Sequence, residues 1–240
     1  MNGVVIGETL RRHLRNAGYL AYVALVVLFG FASSTFVRVG SFWPSLIALL
    51  AIVTGSAAIG PEFSSGTLQL ILVKPVNRAV YLVSRVSGIT LAVWIAAAFA
   101  AIAEVVGRTL WGRALGLSIV GSVFVNVCVA AILACSLLAL FGSVTRAYFN
   151  VAIYVALDIG LSAFGGILAM TRSMPSAAGA FLTAHPIVEQ SVEVVAHNLF
   201  PEVPPQLDRD WLLMVLSNAA VALLLACLAF RRREVPYGAD

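Results

Sequence analysis

Four side chains, His185, Glu189, Glu193 and His197, recur every four residues. On one helix with Pro186 in its first turn, four-residue steps drift only ~40° each. The four would then line one flank, with Val188, Val192, Val195 and Leu199 on another. Imidazole and carboxylate at that spacing can hold a metal ion. The commoner origin of the pattern is the polar face of an amphipathic helix at, or dipping into, a membrane surface, and that reading is preferred. Two more carboxylates lie in apolar runs. Asp158 falls near the middle of one, where a charge costs at least ~2.5–3.5 kcal/mol on insertion scales. It must face protein or water, be protonated, or pair with a polar residue such as Asn126. Asp158 is therefore a candidate for lining a pathway or touching a substrate, with an interhelical hydrogen bond as the equal alternative. Glu104, nearer the end of its run, can reach Arg108 at i+4 as an interfacial pair.

Other chemistries lack their residues. A phosphate-binding P-loop needs a lysine followed by Ser or Thr, but Lys74 is the only lysine and Pro75 follows it. There is no H-E-x-x-H for zinc hydrolysis and no G-x-S-x-G for a serine nucleophile. The cysteines, Cys128, Cys135 and Cys227, all lie in apolar segments and read as small packing residues.

One charged break interrupts the apolar pattern: Gly60-Pro61-Glu62-Phe63-Ser64-Ser65-Gly66-Thr67-Leu68-Gln69-Leu70-Ile71-Leu72-Val73-Lys74-Pro75-Val76-Asn77-Arg78. Pro61 can open a helix, and Glu62 suits the positive end of its dipole. Phe63 and Leu70 would share a side, Pro75 would end the helix, and Arg78 would anchor the next element at the headgroups. A short apolar-and-charged helix between two spans suits docking against another protein; an ordinary amphipathic loop is the alternative.

The elements that must position these residues are membrane helices. The chain is 61% hydrophobic and 11% charged, with a mean hydropathy of +0.99. A soluble domain of 240 residues could not hide that much apolar surface. The formal charge of +4 does not indicate nucleic acid, because the arginines sit beside apolar runs and form no separate patch. A crossing helix needs about 20 apolar residues. Six stretches qualify or nearly do: 17–37, 43–60, 79–106, 117–141, 147–170 and 211–230. The second opens with Trp43-Pro44, an interfacial aromatic and a first-turn proline. The expected fold is all-α: a polytopic membrane protein of six transmembrane helices in a single domain spanning 1–240.

Basic residues orient such a bundle. With the N-terminus cytoplasmic, that side holds Arg11, Arg12, Arg15, Lys74, Arg78, Arg85, Arg146 and Arg231–Arg233, ten of the fifteen basic residues. The opposite side holds Arg38, Arg108, Arg113, Arg172 and Arg209, and the external segment 171–210 is acidic. Both termini are thus expected in the cytoplasm. Over 1–16, Ile6, Leu10 and Leu14 recur opposite Glu8, Arg11, Arg12 and Arg15, the pattern of an interfacial helix with arginines at the headgroups. The long apolar run that follows reads as a retained first span and not as a cleavable signal.

The order Glu62-x-x-x-Gly66-Thr67-Leu68, followed by Leu72, Pro75 and Arg78, resembles the signature of ABC-2 type transporter permeases. The six spans, amphipathic N-terminal helix, long external segment and terminal basic cluster Arg231-Arg232-Arg233-Glu234 are similar to that family too. Asn77 stands where serine is common and Arg85 where lysine is, both keeping polarity or charge. The resemblance implies a membrane permease that pairs with itself or a homologue and binds separate ABC ATPase subunits. It would be an exporter subunit without enzymatic chemistry, needing no cofactor itself; ATP and Mg would sit on the partner. Segment 61–78 would be the coupling helix, with Glu62, Phe63, Gly66, Thr67, Leu68, Pro75 and Arg78 as its contact residues. The location would be a plasma membrane, in bacteria the inner one, and the cargo an amphipathic drug, peptide, lipid or glycan. Two other classes compete: a membrane-embedded enzyme using the His185–His197 array, and an ion-coupled transporter with Asp158 as its proton site. Neither accounts for the Glu62–Arg78 stretch.

Overall fold

Apolar runs in lipid must satisfy their backbone polar groups internally, as helices or closed barrels; here they form helices. The computed structural model describes residues 2–36, 41–58, 77–112, 117–145, 149–173, 181 and 183–232, and among these it has no strand. The helices are α1 (Gly3–Arg15), α2 (Ala17–Phe36), α3 (Trp43–Ser56), α4 (Arg78–Leu110), α5 (Leu117–Val144), α6 (Phe149–Ser173), α7 (Ile187–Leu199) and α8 (Arg209–Arg232).

Among the described residues five helices, α2, α4, α5, α6 and α8, are long and apolar enough to cross a bilayer. The expected second span is shorter than the sequence pattern suggests. α3 has 14 residues, a length of about 21 Å at helical rise, against a hydrocarbon core of about 30 Å. A tight turn ends it at Ala57, whose N–H reaches the Thr54 carbonyl at 3.2 Å, while Ala58 N–H reaches Gly55 at 3.0 Å. α4, in contrast, has 33 residues, roughly 50 Å, so it overshoots the core.

The chain divides into two compact units, 1–151 with 203–240, and 152–202. In the first, α1, α2, α3, α5 and α8 all pack on α4. Its buried stripe, Ile89, Ala92, Val93, Ala96, Ala97 and Ala100, follows helical i+3/i+4 spacing and is dominated by alanine. Small side chains let neighbouring backbones come close. Tyr19 of α2 donates its hydroxyl to the Ala92 carbonyl at 2.7 Å, and Trp94 donates its indole N–H to Cys128 of α5 at 2.9 Å. Cys128 and Cys135 are buried in this core. In the second unit the rings of Tyr154 and Phe200 meet edge-on at 4.9 Å.

α1 is the expected amphipathic helix, with Asn2 capping it through the Val4 N–H at 3.1 Å. Its seated face differs from the expected one. Thr9 is the buried residue, Val5 and Leu10 pack on the core, and Leu14 is exposed. Thr9 can be buried because its hydroxyl is satisfied within the helix, by Val5 O at 2.7 Å.

Where α2 crosses α4, a Cβ added to Gly30 would lie 2.5 Å from the Ala100 carbonyl oxygen. Gly30→Val should therefore cost about 1–3 kcal/mol, the usual penalty of overpacking. Thermal unfolding of the detergent-solubilised chain measures this. Gly121→Ala, where nothing lies within 4 Å of the added Cβ, serves as the neutral control.

Candidate functional site: the two polar ends of helix α4

Of the expected coupling residues, Glu62, Phe63, Gly66, Thr67, Leu68 and Pro75 lie outside the described residues. The flanks of that segment are described. On its far side Asn77 is the N-cap of α4, its side chain accepting the Ala79 N–H at 3.0 Å, and Arg78 is the first helical residue. The polar residue at 77 thus has a mechanical reason, since serine and asparagine are both good caps.

On the near side, the last carbonyls of α3 would be orphans without partners from elsewhere. Two distant side chains supply them. Arg85 of α4 donates from a terminal guanidinium nitrogen to Ala57 O at 3.0 Å. Asn150, fully buried at the start of α6, donates its amide to Ser56 O at 3.2 Å and Leu138 O at 3.4 Å. Both described flanks of that segment are therefore tied to α4, Asn77 as its cap and Ala57 through Arg85.

The same end of α4 also holds α1. The Asn2 N–H donates to Ser84 Oγ at 2.7 Å. Thr9 sits over Gly88, where an added Cβ would lie 2.8 Å from the Thr9 Cβ and 3.0 Å from Ile6 O. Only glycine admits α1 at that depth.

At the opposite end of α4 a buried carboxylate gathers four donors. Glu104 is 0% exposed and Arg108 5%. Arg108 reaches Glu104 Oε1 through Nε at 2.9 Å and a terminal nitrogen at 2.6 Å. Ser41 donates to Oε2 at 2.7 Å, and the indole of Trp43, at the start of α3, donates to the same oxygen at 2.6 Å. The i+4 pairing expected of Glu104 and Arg108 is present, as a buried hub. Trp43 is likewise fully buried. Sequence showed the pair; it did not show Ser41 or Trp43, which arrive from more than sixty residues away. Gly112 sits just beyond α4 with φ +66°, in a turn role.

Asp158 lies half-buried on α6, in the second unit. Asn126, the polar residue suggested for it, belongs to the first unit; it is fully buried, and its amide donates to Pro204 O at 2.9 Å and Gln206 O at 2.8 Å. The histidine–glutamate array is not carried on one helix. Pro186 is the N-cap of α7, so His185 precedes the helix, its ring edge-on to Phe181 at 4.6 Å, while Glu193 and His197 lie on α7. The reason is local: proline at the cap places the preceding residue outside the helical repeat. Among the described residues no group of three or more His, Cys, Asp or Glu could hold a metal ion.

A family model described as ABC-2 family transporter protein matches residues 40–235. The match starts just before α3 and runs past the end of α8. No curated protein matches the chain.

Removing one partner from a buried ion pair costs about 3–5 kcal/mol. Glu104→Leu should lower stability by that much in thermal unfolding. Glu104→Leu combined with Arg108→Met should recover only part of it, because the Ser41 and Trp43 donors still lack an acceptor.

Proposed function

The chain belongs to the ABC-2 family of transporter proteins, and from that premise we propose that it is the membrane permease of an ABC exporter driven by a separate ATPase. It is a multi-pass membrane protein. Its family normally works with ABC ATPase subunits. We read α3 as a short sixth crossing and both termini as cytoplasmic, on the ten-to-five division of the fifteen basic residues. The permease acts as a dimer of two copies or of two homologues in the plasma membrane, in bacteria the inner membrane. ATP and Mg belong to the partner ATPase.

The family match across α3 to α8 carries this reading. Three other observations support it. The chain has no P-loop of its own, which leaves the energy source to another subunit. The segment bearing Glu62, Phe63, Gly66, Thr67 and Leu68 is bounded by two fixed points, the α3 terminus held by Arg85 and Asn150 and the capped start of α4 at Arg78. A contact made on that segment would act on two elements, α3 and α4, that are themselves tied together. Finally, α6 is mostly exposed yet carries Asp158 half-buried. A carboxylate on such a helix needs water or a protein neighbour, as a pathway at a dimer interface would provide. Amphipathic cargo (drug, peptide, lipid or glycan) fits a route with both apolar walls and that carboxylate.

The test replaces Glu62 and Phe63 with alanine in the chain purified from its own membranes with its ATPase. Loss of two contacts worth about 0.7 kcal/mol each should weaken ATPase retention about tenfold. Substrate-stimulated hydrolysis should fall in parallel. Retention and stimulation both unchanged, or no ATPase accompanying the wild-type chain, would overturn the proposal.

A further inference from the structure

The α1–α2 corner has a feature that coupling to an ATPase does not require. Glu8, Arg11, Arg12, Arg15 and Asn16 line a cleft of about 330 Å³, within the size range of small-molecule sites, about 300–1,000 Å³. Arg12 pairs with Glu8 at 3.3 Å. Arg11 and Arg15, one helical turn apart, have no carboxylate partner among the described residues. Among the described residues the cleft thus keeps two guanidiniums without a carboxylate partner on one flank of α1. Guanidinium groups bind phosphate oxygens bidentately.

The position of the cleft selects among phosphate-bearing ligands. Asn16 is the single residue between α1 and α2, and its side chain accepts the Gly18 N–H at 2.8 Å. The apolar helix long enough to cross the bilayer begins at the next residue. The arginines therefore lie at the level where hydrocarbon gives way to headgroups. Beside them Leu14 is 39% and Leu20 50% exposed, and the open face of α2 continues through Leu28 at 69%. Phosphate-binding cations above an open apolar track match a molecule with an anionic head and an acyl tail.

The geometry points to a binding site for one anionic phospholipid, its headgroup phosphate held by Arg11 and Arg15 and its acyl chain lying along Leu20 and Leu28. The site lies on α1 and α2, mainly outside residues 40–235 that match the transporter family. It stands or falls independently of the ATPase.

The experiment uses the full chain in nanodiscs of phosphatidylcholine with a minor fraction of phosphatidylglycerol. The lipid retained after detergent extraction is counted by native mass spectrometry. Wild type should retain phosphatidylglycerol over phosphatidylcholine. At roughly fivefold per juxtamembrane arginine, Arg11→Gln with Arg15→Gln should lower that preference about thirtyfold. Arg209→Gln, outside the cleft, should leave it intact. Should the double variant not fold, wild type alone decides: raising salt must release the phosphatidylglycerol, as expected for a charge-held headgroup at an exposed site. An unchanged preference in the folded double variant, retention that ignores salt, or full displacement by millimolar inorganic phosphate would each overturn the lipid site. The last outcome would indicate a free-anion site instead.

Discussion

The close approach that α4 permits is the constraint on which the larger unit depends. Between helices in lipid there is little hydrophobic drive, because acyl chains are as apolar as leucine. Dispersion contacts and interhelical hydrogen bonds must hold the bundle, and both need short distances. The alanine stripe from Ala92 to Ala100 provides them, so α1, α2, α3, α5 and α8 can share one helix. The hydroxyl of Tyr19 reaches a backbone carbonyl of α4 only because no large side chain stands between the helices. Bulk along that stripe would displace several neighbours together.

The charged residues of α4 are then confined to its two ends, where the stripe stops. At one end Glu104 is buried beside Arg108, and a charge there is tolerable only with donors supplied by the protein. Ser41 and Trp43 supply them, and in doing so they pin the start of α3. At the other end Ser84, Arg85 and Gly88 receive α1 and the last turn of α3. α3 is therefore held at both termini by side chains of α4. A 14-residue helix, too short to span by itself, has its place fixed by polar clamps more than by length.

Much of this was legible in the sequence, but unevenly. The long apolar runs fixed α2, α4, α5, α6 and α8 within a few residues, because length and hydropathy are local properties. Glu104 with Arg108 could be read as an i+4 pair for the same reason. The end of α3 could not be read. Apolar residues continue past Ser56, and the turn is stabilised by Arg85 and Asn150, which are distant in sequence. Trp43 reads as interfacial because tryptophan is enriched at membrane surfaces, whereas its burial depends on a carboxylate sixty-one residues away. Thr9 was hidden by its polarity; only the absence of a side chain at Gly88 makes room for it.

The clamps also bear on how α3 and α4 can move relative to one another. The start of α4 is capped by Asn77, and the end of α3 is held to α4 by the bond from Arg85 to Ala57 O. Asn150 ties the neighbouring carbonyl at Ser56 to α5, through Leu138, and to the first turn of α6. Displacement of the α3 terminus would therefore carry α4 with it and pull on α5 and the first turn of α6. Far along α4, the Glu104 hub keeps the start of α3 in step. Such a pair can tilt as a lever but cannot easily slide apart, which favours rocking over stretching as the motion available to this bundle.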